Sequence, residues 1–390
     1  MNKKLASIVG AENVSENPSD IDAYSYCCSD TELKPSIIVW PRNVEQARRV
    51  LLFCNQCRTP VVIRGAGTSF VDGCIQENAI VLCSERMNRV LNLDSKNKVI
   101  EVESGMKLAD LNNSLKSLNL CFPLISLNAS QTIGGMVALN AVSRESLNLG
   151  RMDDWVEEVE FCDATGKSFY TRKKELVVGK EGLSGFITKV KIKVAEVPTL
   201  SFNVFYFDQI SDLLGQAGSL RKNKEVYSLE FLDKKTAKAL GFEEKYSLLV
   251  AYSAIYGKVR MIQDVKDLLA KMDAIPSVIR SEGYYYVEDP CVGLEKTYDL
   301  IDWCEKHDAR IHGHIGSGVF YVYFQKKDRD LKEVFRSFVK RINGTFGGAF
   351  GYGLKNKEFL PLDKKKELMR LKDEYDYNNL LNPNEMIDYR

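Results

Sequence analysis

The segment at residues 61–69, with the sequence VVIRGAGTS, has the clearest chemical character in this chain. Its apolar start is typical of a strand, and the glycines at 65 and 67 then allow positive φ angles and a close approach to another molecule. Successive N–H groups in such a turn can bind an anion, and the hydroxyl groups of Thr68 and Ser69 add further donors. Taken alone, the segment indicates either a phosphate-binding loop or a simple connection between strands.

The histidines of the chain, His307, His312 and His314, all lie far downstream of this turn. His312 and His314 are two residues apart in a run that is typical of a strand, so their side chains share one face. They could pair there with Glu288 or Asp289. A divalent metal site normally needs about three or more N, O or S ligands from the protein. The residues themselves therefore favour hydrogen-bonded structural histidines.

An alternation of strands and helices must position the glycine-rich turn in the first half of the chain. Apolar residues recur at helical spacing over residues 44–57, with Asn43 as the expected N-cap. A second helix is predicted over residues 108–118. Strands are predicted at residues 37–40, 61–63, 79–82, 99–102, 159–162 and 190–194. Pro198 ends this region, and we place a domain boundary there.

The pattern changes to longer strand and helix alternation from residue 201 onward. Strands are predicted at residues 202–207, 226–232 and 247–252, followed by a hairpin of 310–315 and 319–324. Helices are predicted at residues 211–222, 258–272, 294–307 and 328–342. This order is typical of an antiparallel sheet with helices on one face, an α+β arrangement. The sequence thus predicts three parts, at residues 1–198, 199–345 and 346–390.

The composition is that of an ordinary globular protein, and it excludes several classes of function. A chain of 390 residues is long for one core, which favours two domains. The net charge of +1 gives no indication of a nucleic acid or an anionic membrane as partner. No run approaches the ~18 consecutive apolar residues that are needed to cross a bilayer. The apolar stretch near the N-terminus is too short for the hydrophobic region of a secretory signal. We expect a cytoplasmic protein without a transmembrane segment.

The ten cysteines are scattered along the chain, and reduced thiols are the default expectation. No cluster has ferredoxin-like spacing, so the chain is not expected to carry an iron–sulfur domain of its own.

Three further segments follow the glycine-rich turn in a fixed order: Phe122-Pro123, SQTIGGMVALN at 130–140 and GKEGLSGFIT at 179–188. Together the four resemble the FAD-binding domain of the vanillyl-alcohol-oxidase/para-cresol-methylhydroxylase superfamily. The branch that fits best is the FAD-linked oxidases related to D-lactate dehydrogenase and the glycolate oxidase flavoprotein subunit. The resemblance covers nearly the whole chain. It implies an α+β fold of two domains, a PCMH-type FAD-binding domain and a C-terminal antiparallel-sheet cap over the reactive edge of the flavin.

The resemblance also implies which residues contact FAD. In the family, the glycine-rich turn holds the pyrophosphate, the second and third segments line the ribityl chain and isoalloxazine, and the fourth forms the adenine side. The matching positions are Arg64, Gly65, Ala66, Gly67, Thr68 and Ser69, then Pro123, Thr132, Gly134, Gly135 and Asn140, and finally Glu181, Gly182, Gly185 and Ile187. Thr68 stands where covalent members of the family carry a histidine, so FAD is expected to be bound non-covalently.

The expected active site departs from the family pattern. The family element His-x-Gly-Asp-Gly-Asn-x-His corresponds to HIGSGVFY at 314–321, and Gly-Glu-His-Gly-x-Gly corresponds to GAFGYG at 348–353. In metal-dependent relatives, two histidines and the glutamate of these elements bind a divalent ion. Because only the first histidine survives here, as His314, no metal is predicted.

Hydride transfer from a 2-hydroxy acid to a flavin needs a base for the hydroxyl proton and a cation for the carboxylate. The remaining base candidates are His314, Tyr321 and Tyr352. A tyrosine with an ordinary pKa near ~10 is a poor base at neutral pH. The available cations are Lys355, Arg310 and Arg280.

The resemblance implies an FAD-dependent dehydrogenase or oxidase acting on CH–OH groups. Its expected substrate is a small 2-hydroxy acid similar to D-lactate or glycolate, oxidised by hydride transfer to flavin N5. The alternative is a flavin-binding accessory or electron-transfer subunit of a glycolate-oxidase-like complex, with an iron–sulfur or quinone-linked protein as electron acceptor. A binding protein that has lost its flavin is the least favoured reading, because the RGAGTS and TIGG motifs are kept.

Overall fold

The computed structural model of the chain describes residues 1–124, 129–253 and 262–389. The strands in these ranges are, in chain order, β1 Val14–Ser15, β2 Ile37–Val39, β3 Val61–Arg64, β4 Ile80–Cys83, β5 Val90–Asp94, β6 Val99–Glu103, β7 Leu120–Cys121, β8 Val156–Cys162, β9 Ser168–Thr171, β10 Phe186–Lys193, β11 Ala195–Glu196, β12 Leu200–Phe207, β13 Val226–Leu232, β14 Tyr246–Ser253, β15 Tyr284–Glu288, β16 Arg310–His314 and β17 Val319–Gln325.

The α-helices in the same ranges are α1 Asn2–Val9, α2 Pro18–Tyr24, α3 Val44–Gln56, α4 Leu108–Leu115, α5 Ile133–Leu139, α6 Ser146–Leu149, α7 Met152–Trp155, α8 Ile210–Leu220, α9 Lys234–Ala239, α10 Ile262–Asp273, α11 Ile275–Ser281, α12 Leu294–Lys306, α13 Leu331–Arg341 and α14 Leu362–Tyr375. The first four residues of the helix predicted at 258–272 lie outside the described residues.

The first sheet has the strand order β1-β2-β4-β3, and β2, β4 and β3 run parallel. All residues of β2 and β4 are buried, as expected for parallel strands covered on both faces. The predicted helix α3 packs its apolar side against this sheet, and the Asn43 side chain caps it by accepting a hydrogen bond from the Gln46 N–H at 3.0 Å. The glycine-rich turn leaves the carboxyl end of β3, at one edge of this sheet.

The second sheet is antiparallel, with the order β5-β6-β10-β8-β9. The segment after β6 lies against the start of α5, where the Gly134 N–H donates to the Ser104 carbonyl at 2.8 Å. A Cβ atom at Gly134 would lie 2.7 Å from the Ser104 Cβ, so only glycine allows this approach. The TIGG motif therefore lies directly beside the end of β6.

The third sheet is a six-stranded antiparallel sheet with the order β12-β14-β13-β16-β17-β15. The prediction of helices on one face of this sheet was wrong, because both faces are covered. Along β14, Leu248 and Val250 join the cluster formed with α8, α12 and α13, whereas Leu249 and Ala251 join the cluster formed with α9, α10 and α11. All seven residues of β13 are consequently buried.

The C-terminal tail returns to the first sheet beside the glycine-rich turn. The Val61 N–H donates to the Leu380 carbonyl at 2.7 Å, and the Asn382 N–H donates to the Val61 carbonyl at 2.8 Å. The Asn382 side chain also accepts the Ile63 N–H at 2.8 Å. The tail thereby pairs with β3 immediately before its turn. Within the described ranges, every helix is too short or too polar to cross a bilayer.

Candidate flavin and substrate site

The turn after β3 presents its backbone N–H groups to a cavity. From Gly65 to Ser69, none of these N–H groups has a hydrogen-bond acceptor among the residues that the structure describes. Gly67 has a φ of 70°, and a Cβ atom there would overlap the Arg64 guanidinium. A Cβ atom at Gly65 would overlap the Thr132 hydroxyl. The two glycines therefore make a nest of free donors, the arrangement that binds anions.

This first cavity brings together most of the residues that the resemblance assigns to FAD. They come from three separate segments, the β3 turn, the start of α5 and the loop before β10. The predicted residues along its wall are Gly65, Ala66, Gly67, Thr68, Ser69, Thr132, Gly134, Gly135, Glu181, Gly182, Gly185 and Ile187. Their contacts with FAD stay predictions.

Three of the predicted cofactor residues, Arg64, Pro123 and Asn140, are not part of this wall. The Arg64 guanidinium is buried over the Tyr24 ring at 4.9 Å, where it supports the turn from behind. Asn140 ends α5 in the left-handed conformation, and its side chain accepts the Asp153 N–H at 3.0 Å. Pro123 is buried. Arg64 and Asn140 therefore have structural contacts of their own.

Two polar groups that sequence reasoning missed also face the first cavity: Ser104 and Glu385. The Ser104 Oγ and Glu385 Oε1 atoms are buried, and neither has a hydrogen-bond partner among the described residues. Burial, and secondly the Glu181 carboxylate, raise the pKa of Glu385 well above its usual range, which favours its protonated form. Free backbone donors and unsatisfied polar side chains around one cavity fit a ligand rich in phosphate and hydroxyl groups, as FAD is.

A second cavity of about 290 Å³ opens directly beside the first. The two share Thr68, Ser69, Gln131 and Leu139 in their walls. The second cavity has His314 and Tyr321 on its far wall, contributed by β16 and β17.

His314 is the centre of a hydrogen-bonded chain of three side chains. Its Nδ1 atom lies 2.8 and 2.9 Å from the two carboxylate oxygens of Glu230, and its Nε2 atom lies 3.1 Å from the Tyr321 hydroxyl. The side chains of His314 and Glu230 are only 4% and 7% exposed. The three residues come from β16, β13 and β17, adjacent strands of the third sheet. A carboxylate, an imidazole and a phenol in this order can pass a proton from the cavity into the sheet.

Burial, and secondly the Glu230 carboxylate, raise the pKa of Tyr321 well above its usual range. Tyr321 therefore cannot act as a free phenolate at neutral pH, but its hydroxyl can donate to His314. His312, two residues before His314 on the same face of β16, has its Nε2 atom 3.2 Å from the Tyr323 hydroxyl. Burial lowers the pKa of His312 to about 3, so it is a neutral structural histidine.

The third predicted base, Tyr352, is not brought together with His314 and Tyr321. It lines a separate polar cavity with Arg151 and Lys364, and the Lys364 ammonium lies 4.8 Å from its ring centroid. Burial raises the pKa of Tyr352 as well.

The suggested pairing of the histidines with Glu288 or Asp289 is not what the structure shows. Glu288 instead accepts a hydrogen bond from Arg336 at 3.0 Å. Asp289 accepts the N–H groups of Ala349 and Phe350 at 2.9 and 2.8 Å and so holds the loop that carries Phe350. The carboxylate partner of His314, Glu230, lies 84 residues away in the sequence, and no local signal identifies it.

Of the cations considered from the sequence, Arg280 alone lines the second cavity. It has no carboxylate partner among the described residues and lies over the Phe70 ring, at 5.9 Å from its centroid. Lys355 is paired with two aspartates, and Arg310 is paired with acidic side chains elsewhere in the third sheet. Arg144, which sequence reasoning missed, also lines the cavity, but it is paired with Glu145 and Asp273. Arg280 is therefore the cation left for a ligand carboxylate.

In the part of the chain that the structure describes, no group of three or more His, Cys, Asp or Glu side chains could hold a metal ion.

Residues 35–171 match the family of FAD binding domains. Over 99% of its length the chain is 24% identical to the glycolate oxidase subunit GlcD of Bacillus subtilis, covering 96% of that protein. It is 25% identical to the D-lactate dehydrogenase of Archaeoglobus fulgidus, with 90% of this chain and 91% of that protein covered. A D-2-hydroxyglutarate dehydrogenase of Danio rerio is 25% identical, with 89% and 77% covered.

Solved structures show the same fold at low sequence identity. The 4-ethylphenol oxidase of Gulosibacter chungangensis superposes with a TM-score of 0.78 at 14% identity, covering all of this chain and 96% of that one. Para-cresol methylhydroxylase superposes with a TM-score of 0.75 at 13% identity, covering 99% and 96%. The expected α+β fold, with its PCMH-type FAD-binding domain and antiparallel cap sheet, is thereby confirmed. Residues 35–171 are therefore an FAD-binding domain, the cofactor is FAD, and the chain is similar over most of its length to flavin-linked dehydrogenases of hydroxy acids.

Proposed function

We propose that the protein oxidises a 2-hydroxy acid to the 2-oxo acid, with the Glu230–His314–Tyr321 chain as the acceptor of the hydroxyl proton. The observation that carries this proposal is the position of that chain, on the wall of the cavity that adjoins the first cavity. Two relatives that match this chain over most of their own length are named a glycolate oxidase subunit and a D-lactate dehydrogenase. These names support the same reaction class.

The residues of the first cavity would hold FAD. The N–H groups of the 65–69 turn suit the pyrophosphate, and Ser104 and Glu385 are available to hydroxyl or carbonyl groups of the cofactor. When bound, FAD supplies the acceptor for the hydride that leaves the substrate carbon. We expect FAD to be held non-covalently, because Thr68 stands where covalent relatives carry a histidine.

The second cavity would hold the substrate. Arg280 is the cation on its wall that has no carboxylate partner among the described residues, and a guanidinium binds a carboxylate through two parallel hydrogen bonds. Once the carboxylate is bound, the hydroxyl group can reach the Tyr321 oxygen, which lies on the same cavity wall.

The proton then has a path that does not require a free phenolate. The hydroxyl proton passes to the Tyr321 oxygen while the Tyr321 proton passes to His314 Nε2. The resulting imidazolium lies against the buried Glu230 carboxylate. The substrate C–H pair leaves as hydride, and the carbon and oxygen become a carbonyl. The electrostatic attraction between imidazolium and carboxylate lowers the energy of this state in a buried site.

The proposal includes a division of the chain into an FAD-binding unit at 1–198, a cap at 199–345 and a returning segment at 346–390. Separate hydrophobic cores support it: one includes Ile133 and Val190 together with Leu371 of the returning segment, and another includes Phe231 and Phe335 of the cap.

The direct test is anaerobic mixing of the purified yellow protein with D- and L-2-hydroxy acids, followed by flavin absorbance. We expect one of them to bleach the flavin, with an observed rate that rises with the concentration of the acid. Flavin that stays oxidised with every acid would contradict the proposal. Acid precipitation of the same preparation should release the flavin into the supernatant.

The alternative, an accessory or electron-transfer subunit, is favoured by one observation: the relative that spans 99% of this chain is itself named a subunit. It predicts a flavin that no hydroxy acid reduces but that exchanges electrons with a partner protein. To separate the two functions, the protein is isolated with and without its co-purifying partners, and flavin reduction by hydroxy acids is measured in each preparation.

A further inference from the structure

We propose that the substrate carries an aromatic side chain, which binds to a wall formed by Phe70, Phe350, Tyr321 and Tyr323. This inference rests on the proposed function and narrows its substrate class. The four residues, here called the ring wall, all line the second cavity.

The ring wall is assembled from three separate parts of the fold. Phe70 directly follows the turn of the first cavity, Phe350 lies on the loop held by Asp289, and Tyr321 and Tyr323 lie on β17. The Phe70 and Phe350 rings stack, with centroids 4.4 Å apart and an angle of 30° between their planes. The Phe350 and Tyr321 rings follow at 5.6 Å. The rings thus form a continuous aromatic surface from the first cavity to the proton-accepting chain.

This surface is not fully covered by protein. Phe70 and Phe350 both keep part of their area accessible, whereas Tyr321 and Tyr323 are buried. An aromatic ring left partly open inside a cavity gains free energy when another apolar group covers it. A second ring does so with an added preference for stacked or edge-on contact.

The size of the space also favours a substrate larger than lactate. The second cavity, of about 290 Å³, shares Phe70, Arg280 and Phe350 in its wall with a third cavity of about 450 Å³. Ligand pockets of a few hundred Å³ bind molecules well beyond lactate in size. A small hydroxy acid would leave most of this volume and most of the ring wall to water.

The charges of the third cavity argue against a second carboxylate as the extra group. Its lysines, Lys332 and Lys355, are already paired: Lys332 lies 3.5 Å from Glu288, and Lys355 lies 3.1 Å from Asp30. Arg280, where the second and third cavities meet, has no carboxylate partner among the described residues. One free cation beside an aromatic wall matches one carboxylate and one ring.

The test compares flavin reduction by 3-phenyllactate and by lactate, each as both enantiomers, in the FAD-loaded protein. We expect the second-order rate constant for phenyllactate to exceed that for lactate by about 10- to 100-fold, the discrimination that a filled apolar pocket supplies. Phe350→Leu should lower this ratio about tenfold, because it removes the ring but keeps an apolar side chain. Phe70→Leu provides the same test if the first variant does not fold.

The control is Tyr298→Leu, an aromatic residue of α12 that is 50% exposed and lies outside all three cavities. This variant should keep the wild-type ratio. A wild-type protein that lactate reduces as fast as phenyllactate would overturn the inference and leave the proposed function intact. Fast reduction by 4-ethylphenol would instead overturn the proposed function, because that compound has a ring for the ring wall but no carboxylate for Arg280.

If no hydroxy acid reduces the flavin, the proposed function fails, and the ring wall is tested separately by binding. Phenylacetate and acetate are titrated into the oxidised protein, and the perturbation of the flavin spectrum gives a Kd for each. A Kd for phenylacetate that is lower than that for acetate by about tenfold or more would support an aromatic binding site at the ring wall. Equal affinities refute it.

Discussion

The Glu230→Gln substitution tests the proton-accepting chain most directly, because it removes one charge and keeps the shape of the side chain. In the native protein, both Glu230 oxygens lie within 2.9 Å of His314 Nδ1 in a buried site. A hydrogen bond to a charged group contributes about 1.5–3 kcal/mol. Because ~1.4 kcal/mol corresponds to a tenfold change in rate, losing the charged form of this contact should slow flavin reduction about 10- to 150-fold.

The assay is anaerobic stopped-flow reduction of the bound flavin by the best substrate of the wild-type protein. FAD content should stay at the wild-type level, because Glu230 lies on β13 and does not line the first cavity. Glu225→Gln is the matched control: this carboxylate sits just before the same strand and accepts a hydrogen bond from Ser253 at 2.8 Å. The flavin of the Glu225→Gln variant should be reduced at the wild-type rate. Wild-type reduction in Glu230→Gln, with full FAD content, would refute a role for the chain in proton transfer.

Three further changes test the cofactor turn and the stability of the fold. Gly67→Ala places a Cβ atom into the Arg64 guanidinium at a φ of 70°, so the purified variant should lack FAD. The control is Gly215→Ala, whose Cβ atom would have no other atom within 4 Å and which should retain FAD. The measurement is the flavin absorbance per polypeptide. Burial raises the pKa of Glu145 to about 7 from 4.5, so its stabilising effect is present below about pH 4.5 and lost as pH rises through about 7. Glu145→Gln should remove this decline, at most ~1.4 kcal/mol per pH unit, in urea unfolding between about pH 5 and pH 8; an unchanged slope would contradict the assignment. Lys372→Met leaves the buried Asp376 carboxylate without its ion pair at 2.6 Å and should cost about 3–5 kcal/mol in unfolding free energy. Part of this loss should be recovered when Asp376 is also made Asn, which removes the buried charge and keeps an acceptor for the backbone N–H groups of the tail. Equal stability of the single and double variants would show that the ion pair is not the cause.

Sequence patterns predicted the individual elements well where the signal was local. The helix predicted at 44–57 with Asn43 as its cap is confirmed as α3, and the strand predicted at 226–232 has the same bounds as β13. Apolar periodicity and cap residues act within a few positions of each other, so they can be read from one segment. The coverage of the cap sheet was not predicted correctly, because which faces helices cover depends on contacts between distant segments.

In the candidate site too, some residues were predicted from sequence motifs and others were found only in the structure. Motif order placed the 65–69 turn, Thr132, Gly134 and the 181–187 loop, and the structure brings these segments to one cavity. Ser104 and Glu385 were not predicted as site residues: a single serine has no motif of its own, and Glu385 lies in the C-terminal tail, far from the other segments in the sequence.

By itself, the sequence determined the class of this protein, because short glycine-rich segments in a fixed order are local and specific. The resemblance also predicted that His314 is the one histidine kept from the family's active-site elements, which stays a prediction. Only the tertiary structure decided what His314 does. Strand pairing in the third sheet brings Glu230 and Tyr321 to its two ring nitrogens. The fold also places Arg280 on the wall of the second cavity, where it has no carboxylate partner among the described residues. The physical reason is that register and burial, which set hydrogen-bond partners and charge compensation, arise from contacts between residues far apart in the chain.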